Sequence, residues 1–258
     1  MFLFLFLSAF SLSVPIFGKV ALLKIEGEIG RDIKASDIVE ALDSIDKDPF
    51  YVAVIIDINS GGGSAVQSHE IVRALERFEK PKIAKIEDIG TSGAYWIASA
   101  CDYIVADELS IVGGIGASSI FFSPQELMKK LGVEVYEISY PQNKSFGSPF
   151  FNKTFLPHAK KLVESAGEYF IREVAKRKPG AEKYLTGLPY LAKDAPELVD
   201  EYGGIKEALE KARELSGAKR AEIEEIEIKR SFRSIIKELL SSRTIFRLLF
   251  KIFQLLKF

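Results

Sequence analysis

One cysteine in 258 residues, Cys101, leaves no internal disulfide and no cysteine-only zinc site. Two histidines, His69 and His158, are too few for a histidine-rich metal site, and no metal or other cofactor is expected. A formal net charge of −1 lacks the basic excess of a nucleic-acid binder, so nucleic acid is not expected as a partner. No internal repeat or low-complexity linker interrupts the chain. What it holds in quantity is apolar side chain: 47% hydrophobic content supplies a large core for one domain with appendages.

Both ends differ from the body. The first seventeen residues, MFLFLFLSAFSLSVPIF, carry no charged side chain and are followed by Lys19. That length lies between a signal-peptide core and a short membrane span. With neither a positive n-region nor a small-x-small cleavage site, residues 1–18 read as an uncleaved anchor, with a cleaved signal as the alternative. Lys19, Lys24 and Arg31 would by themselves put the body in the cytoplasm. Folded domains translocate despite such charge, and an extracytoplasmic body is expected. At the other end, Arg230 to Phe258 holds seven Lys/Arg against one acid, Glu238. In RTIFRLLFKIFQLLKF, Arg243, Arg247, Lys251 and Gln254 form a narrow helical stripe beside a wide apolar face. Such a helix lies in a lipid headgroup region or packs on a neighbouring subunit. The expected organisation is a hydrophobic segment at 1–18, a main domain at 19–217 and a C-terminal extension at 218–258.

Between the ends, strand-like and helix-like stretches alternate. KVALLKIEGEI has strand composition, and ASDIVEALDSIDKD spaces Ile38, Val39, Leu42 and Ile45 at helical intervals. YVAVIIDIN is a continuous apolar run, followed by the glycines at 61, 62 and 63 and a helix with Ile71, Val72, Leu75 and Phe78 on one face. A strand KIAKIED, a short helix GAYWIASAC and a strand YIVADE come next, then a helix SPQELMKKLG and a strand VEVYEISY. Strands buried on both faces read as near-continuous apolar runs, so the pattern predicts an α/β fold with a largely parallel sheet flanked by helices. From about Phe151 to Gly217 the chain reads as mainly helical.

Two loops carry candidate chemistry. NSGGGSAV is neither a dinucleotide loop nor a P-loop. It is a tight strand-to-helix turn, or a place where glycine lets backbone N–H groups approach a substrate and stabilise an oxyanion. GTSGAYWIASACDY places Ser92 ahead of a helix, where it is either a cap or a nucleophile. In a parallel sheet the ends of successive strands converge, so Gly62 and Gly63 could face Ser92 and Gly93.

NSGGG, GTSGAYWIASACDYIVAD, SIVGGIGA, KSFGSPF and APELVDEYGG, in that order over Lys19 to Gly217, resemble the signal peptide peptidase A family. These are serine peptidases of the Clp protease and crotonase-like superfamily. The resemblance implies Ser92 as nucleophile, Lys144 as general base, the N–H groups of Gly63 and Gly93 as oxyanion donors, and Gly62 as support for their loop. Lysine accepts a proton only as the neutral amine, which requires a dry surrounding, and Phe146 and Phe150 are candidates to supply it. Two departures stand out. Gly61 takes the place of a proline common in the family, and Gly114 that of a serine that orients the base, a hydroxyl that Ser118 or Ser119 can replace.

The implied function is a membrane-associated serine endopeptidase with a Ser/Lys dyad, degrading remnant signal peptides and other short apolar peptides. The implied partners are peptide substrates, the lipid bilayer and further copies of the chain in a homo-oligomer. A stomatin-type membrane peptidase, an acyl-CoA enzyme of crotonase type and a non-catalytic scaffold on the same fold remain the alternatives.

Overall fold

The computed structural model describes residues 18–141, 144 and 156–228. The hydrophobic stretch 1–17, Phe146, Phe150 and the basic tail lie outside them. The chain divides into two units, Met1–Glu225 and Ile226–Phe258. Only residues 226–228 of the second are described, and they form neither helix nor strand. Among the described residues no helix is long and apolar enough to cross a membrane.

The first unit is built from βα units. Strand β1 (Lys19–Glu26), helix α1 (Ala35–Lys47), β2 (Tyr51–Ser60), α2 (Ala65–Arg77), β3 (Lys82–Thr91) and α3 (Gly93–Ser99) follow one another. The strands β1, β2 and β3 pair in parallel. Successive side chains alternate between the two faces of the sheet. One set, including Leu23, Ile25, Ile56, Ile58 and Ile86, is buried on the side of α1, α2 and α3. Ile38, Leu42 and Ile45 of α1 and Ile71, Val72 and Leu75 of α2 meet them at helical spacing. On the opposite face, Val20, Leu22, Ala53, Ile55, Ile83 and Val105 form a second core with Ala208 and Ala212.

The later elements extend this sheet. Strands β4 (Tyr103–Ala106) and β5 (Ile111–Gly113) precede a short α4 (Gln125–Lys130) and the long α5 (Leu156–Arg177). After these come β6 (Pro189–Leu191), β7 (Glu201–Tyr202), α6 (Ile205–Ser216) and β8 (Glu222–Glu225). Strand β3 is shared: Ile83–Ile86 pair with β4, and Ile89–Thr91 pair with β5. The path of the sheet runs β6-β5-β3-β2-β1-β8, with β4 and β7 branching from β3. Among the described residues only β5–β6 is antiparallel. Chain beyond Gly217 thus adds β8 beside β1.

One expectation requires correction. Val133–Tyr140, read as a strand, forms none, and Tyr136, Ile138 and Tyr140 stand exposed. β-forming composition yields a strand only where a neighbour supplies hydrogen bonds, and the described residues supply no such neighbour. The described part of 151–217 is mainly helical, as expected, through α5 and α6, and the stretch between them holds three short 3-10 turns and the strands β6 and β7. Pro189, Pro196, Gly203 and Gly204 break it, and its carbonyl and amide groups bond β4 and the turn before β5 instead.

Glu197 fastens that stretch. Its carboxylate accepts from the Tyr184 hydroxyl at 2.7 Å and pairs with Lys183 at 2.8 Å. Lys183, Tyr184 and a backbone N–H together hold its pKa down at about 2. A carboxyl depressed in the folded state contributes stability that is present above its unfolded pKa, about 4.3, and is lost as pH falls through the folded value. Urea titrations of wild type and Glu197→Gln are therefore expected to differ near pH 6 and to converge as pH approaches 2. A constant difference across that window would remove the ionic role.

Candidate active site

The ends of β2 and β3 meet as closely as backbone allows. A methyl group on Gly62 would lie 2.7 Å from Ser92 Cβ and 2.8 Å from Gly93 N. One on Gly93 would lie 2.2 Å from Ser68 Oγ and 3.6 Å from Gly63 N. Gly62 has no room for a Cβ against this backbone, and at Gly93 one would force the Ser68 side chain to move. Positions 62 and 63 also need glycine for conformation, at φ 96° and 148°. The loop is stitched to the turn after β1: Ile29 N–H donates to Gly62 O at 2.9 Å, and Ser64 N–H to Ile29 O at 2.8 Å. Ser64 Oγ then accepts from Gln67 N–H as the cap of α2.

Ser92 is not a helix cap. Its side chain makes no capping bond, and it is the one non-glycine residue with positive φ among the described residues, at φ 54° and ψ −128°. Such a conformation costs on the order of 1–3 kcal/mol and persists only where its surroundings impose it. They do: Ser92 N–H donates to Gly113 O at 2.9 Å, and Trp96 N–H to Ser92 O at 3.0 Å. The half-buried serine is turned out at a sharp strand-to-helix junction, a geometry that exposes a nucleophile. Gly93 opens α3, so its N–H has no intrahelical acceptor. Gly63 N–H likewise finds no acceptor among the described residues. Two donors are thus available beside one hydroxyl, the arrangement that stabilises a tetrahedral oxyanion.

Two cavities adjoin Ser92. One is lined by Gly61, Thr91, Gly114, Gly187 and Pro189, the other by Gly63, Ala65, Trp96, Ala166 and Phe170, and Gly116, Ala117 and Ser118 border both. Small side chains leave room at the centre, while aromatic rings close one end. Trp96 stacks on His69 at 5.1 Å and on Phe170 at 4.7 Å. His69 Nε2 lies 3.2 Å from the Tyr169 hydroxyl, so this histidine belongs to an aromatic wall. The contributions of α5, Ala166 and Phe170, escaped sequence reasoning because they lie far along the chain from Ser92. Ser118, named as a substitute hydroxyl, borders both cavities; Ser119 lines neither.

Lys144 stands apart. It is exposed, its backbone N–H donates to Pro141 O at 2.8 Å, and it lines neither cavity. The structure therefore brings Gly62, Gly63, Ser92 and Gly93 together and leaves Lys144 outside that group. Among the described residues no group of three or more His, Cys, Asp or Glu could hold a metal ion.

Residues 74–219, more than half the chain, match peptidase family S49. The chain belongs to that family. Similar S49-like chains include MJ0651 of Methanocaldococcus jannaschii, named as a candidate protease, at 33% identity over 72% of this chain and 63% of that one. Protease 4 of Haemophilus influenzae is 33% identical over 76% of this chain and 35% of its own length. A candidate signal peptide peptidase SppA of Enterococcus faecium is 30% identical over 66% of this chain and 52% of that protein. The chain thus spans about a third to two thirds of these relatives. Among solved structures, a mutant of ClpP1 from Listeria monocytogenes superposes with TM-score 0.51 at 14% identity, covering 73% of this chain and 94% of that one. A peptide-bound mutant of a membrane-bound stomatin-specific protease gives 0.55 at 15% identity, covering 86% and 97%. These likenesses establish the Clp-like fold.

The glycine loop supplies a direct test. A Cβ added to Gly61 would meet nothing within 4 Å, and the backbone there has no positive φ, so Gly61→Ala should leave the rate of serine phosphonylation within about twofold. Gly62→Ala pushes against Ser92 Cβ and should slow it about a hundredfold, roughly the scale of a 1 Å misplacement. Equal rates in the two variants would sever the loop from the serine.

Proposed function

We propose that this S49 chain is a membrane-associated serine endopeptidase that degrades remnant signal peptides and other short apolar peptides. The observation that carries the reading is Ser92 itself, held at positive φ with the free N–H groups of Gly63 and Gly93 beside it. Strain of this kind is maintained at sites where it has a use, and an unstrained serine would serve equally well as a cap.

In the proposed mechanism Ser92 Oγ attacks the peptide carbonyl carbon while Lys144 Nζ, as the neutral amine, takes its proton. The carbonyl oxygen becomes an oxyanion that receives the Gly63 and Gly93 N–H groups. Collapse breaks the C–N bond, and the leaving amine takes the proton from Lys144. Water, deprotonated by Lys144, then attacks the acyl ester and restores Ser92. No cofactor enters any step. Substrate binds extended along the glycine loop, with side chains entering the two cavities.

Lys144 is assigned by its place in KSFGSPF and by its side-chain chemistry. Because a lysine base needs a dry surrounding, the stretch that carries it must be covered for turnover. Ile120, Phe122, Leu131, Tyr136, Ile138 and Tyr140 are exposed along the same part of the chain, and a second copy is the proposed cover. The homo-oligomer and the base thus belong to one proposal. Membrane association rests on the uncharged stretch 1–17 and the basic amphipathic tail, with the body on the extracytoplasmic side. A stomatin-type peptidase would use the same chemistry on another substrate.

A fluorophosphonate probe should label wild type and fail on Ser92→Ala. Lys144→Ala and Lys144→Arg should both lose peptide hydrolysis while remaining folded, since guanidinium does not give up its proton. Substantial activity in Lys144→Arg would exclude the lysine as base. Light scattering should find an oligomer in every active preparation, and a fully active monomer would overturn the covering role of the second copy.

A further inference from the structure

Tyr95 is completely buried in a helix only seven residues long, yet its phenol makes one polar contact to a point far along the chain. Its hydroxyl donates to the carbonyl of Leu198 at 2.8 Å, across 103 residues. Burial, with the Asp200 charge adding to it, pushes the phenol far above its ordinary range, so it remains a hydrogen-bond donor throughout the working pH range.

The acceptor is held from several sides. Asp200 N–H donates to Ile104 O at 2.9 Å, and the Asp200 carboxylate accepts from Ile104 N–H at 2.8 Å and from Lys178 Nζ at 2.6 Å. Gly203 N–H donates to Ala106 O at 2.9 Å. Leu198 therefore stands on a segment pinned to β4. Its side chain also faces the loop bonded to the serine, since Leu198 Cδ1 lies 3.3 Å from where a Cβ on Gly113 would stand. Gly113 O in turn accepts the Ser92 N–H, and Ser92 is followed directly by the helix that carries Tyr95. The contacts close a ring: Ser92 to Gly113, Gly113 to Leu198, Leu198 to the Tyr95 hydroxyl, and Tyr95 through one turn of α3 back to Ser92.

We propose that Tyr95 is a positioning residue for the nucleophile, its hydroxyl locking α3 against Leu198 so that Ser92 keeps its positive-φ conformation. The proposal rests on the peptidase reading for its catalytic consequence and on geometry alone for its structural one. Ser92 cannot relax toward an ordinary conformation without shifting Gly113 or tilting α3, and the phenol–carbonyl bond resists both. The coupling also accounts for a sequence segment with no atom at the reacting centre, APELVDEYGG, being bound so firmly beneath it.

The test uses Tyr95→Phe in the full chain, with Ile45→Val in α1 as a destabilised control remote from the site. Peptide kcat, KM and the rate of fluorophosphonate labelling are measured well below the melting temperature. Amide exchange is followed in peptides spanning 90–96 and 53–58. Tyr95→Phe is expected to lower kcat and the labelling rate at least tenfold, with KM within about twofold, and to speed exchange around Ser92 while β2 stays protected. Ile45→Val should change none of these. If Tyr95→Phe only lowers the melting temperature, with kcat, labelling and exchange near Ser92 at wild-type values, the hydroxyl is a packing contact and the proposal falls. If wild type neither labels nor hydrolyses peptide while Tyr95→Phe still loosens 90–96, the peptidase reading fails and the geometric coupling stands.

Discussion

The approach of the glycine loop to the Ser92 turn is the constraint on which the site depends. It originates in the sheet. The β2–β3 ladder pairs Ile58 with Ile86 and next Ser60 with Gly90, so β3 spends four residues where β2 spends two. The extra length lets the end of β3 stay beside β2 while it changes its other partner from β4 to β5. Ser92 then emerges between the two loops, facing Gly62 on one side and bonded to Gly113 on the other. Without the extra residues, β3 would end beside β4, and the Gly113–Gly114 turn could not receive the Ser92 N–H.

This arrangement explains the small residues around the serine better than flexibility does. Gly62 is excluded from having a side chain by Ser92 and Gly63 by the Ile29 carbonyl, while a side chain on Gly93 would have to displace Ser68. Each glycine answers a named obstacle. The departure at Gly61 is of another kind, since its surroundings are open and its backbone ordinary. The fixing of the loop falls to Ile29 and to Ser60, whose hydroxyl donates to Gly27 O at 2.6 Å and accepts from Gly62 N–H at 3.1 Å. A proline is thus not needed to hold this turn.

Local periodicity made the first half of the fold legible. β1, β2, β3, α1 and α2 lie where apolar runs and helical spacing put them, because each buries its side chains against neighbours close in sequence. The convergence of the two loops was also legible, as a property of parallel strand ends. What could not be read were features that depend on distant partners. Val133–Tyr140 has strand composition but no strand to join, and β6 and β7 are pieces of three and two residues defined wholly by what they pair with. The aromatic wall of Trp96, His69, Tyr169 and Phe170 joins α2, α3 and α5, and no spacing rule links those positions. Ser92 was ambiguous between cap and nucleophile because both readings need a serine before a helix. Its backbone angles and lack of a capping bond remove the first reading and leave the second as the proposal.

The chain presents its chemistry in two unequal states of readiness. The serine and the N–H groups proposed as oxyanion donors are preorganised: their backbone is fixed by short bonds, and little would have to move for a carbonyl to be received. The assigned base is in the opposite condition, exposed beyond a stretch whose apolar side chains from Ile120 to Tyr140 stand uncovered. On the proposed reading, donors without a base would bind a carbonyl and form no ester. Covering Ile120 to Tyr140 removes apolar surface from water, and the same event can strip the water from a neighbouring lysine. In the proposed scheme, the burial that drives association would also dry the surroundings of the assigned base. Control of turnover would then lie in the surface around Lys144, and the rigid serine half would stay unchanged.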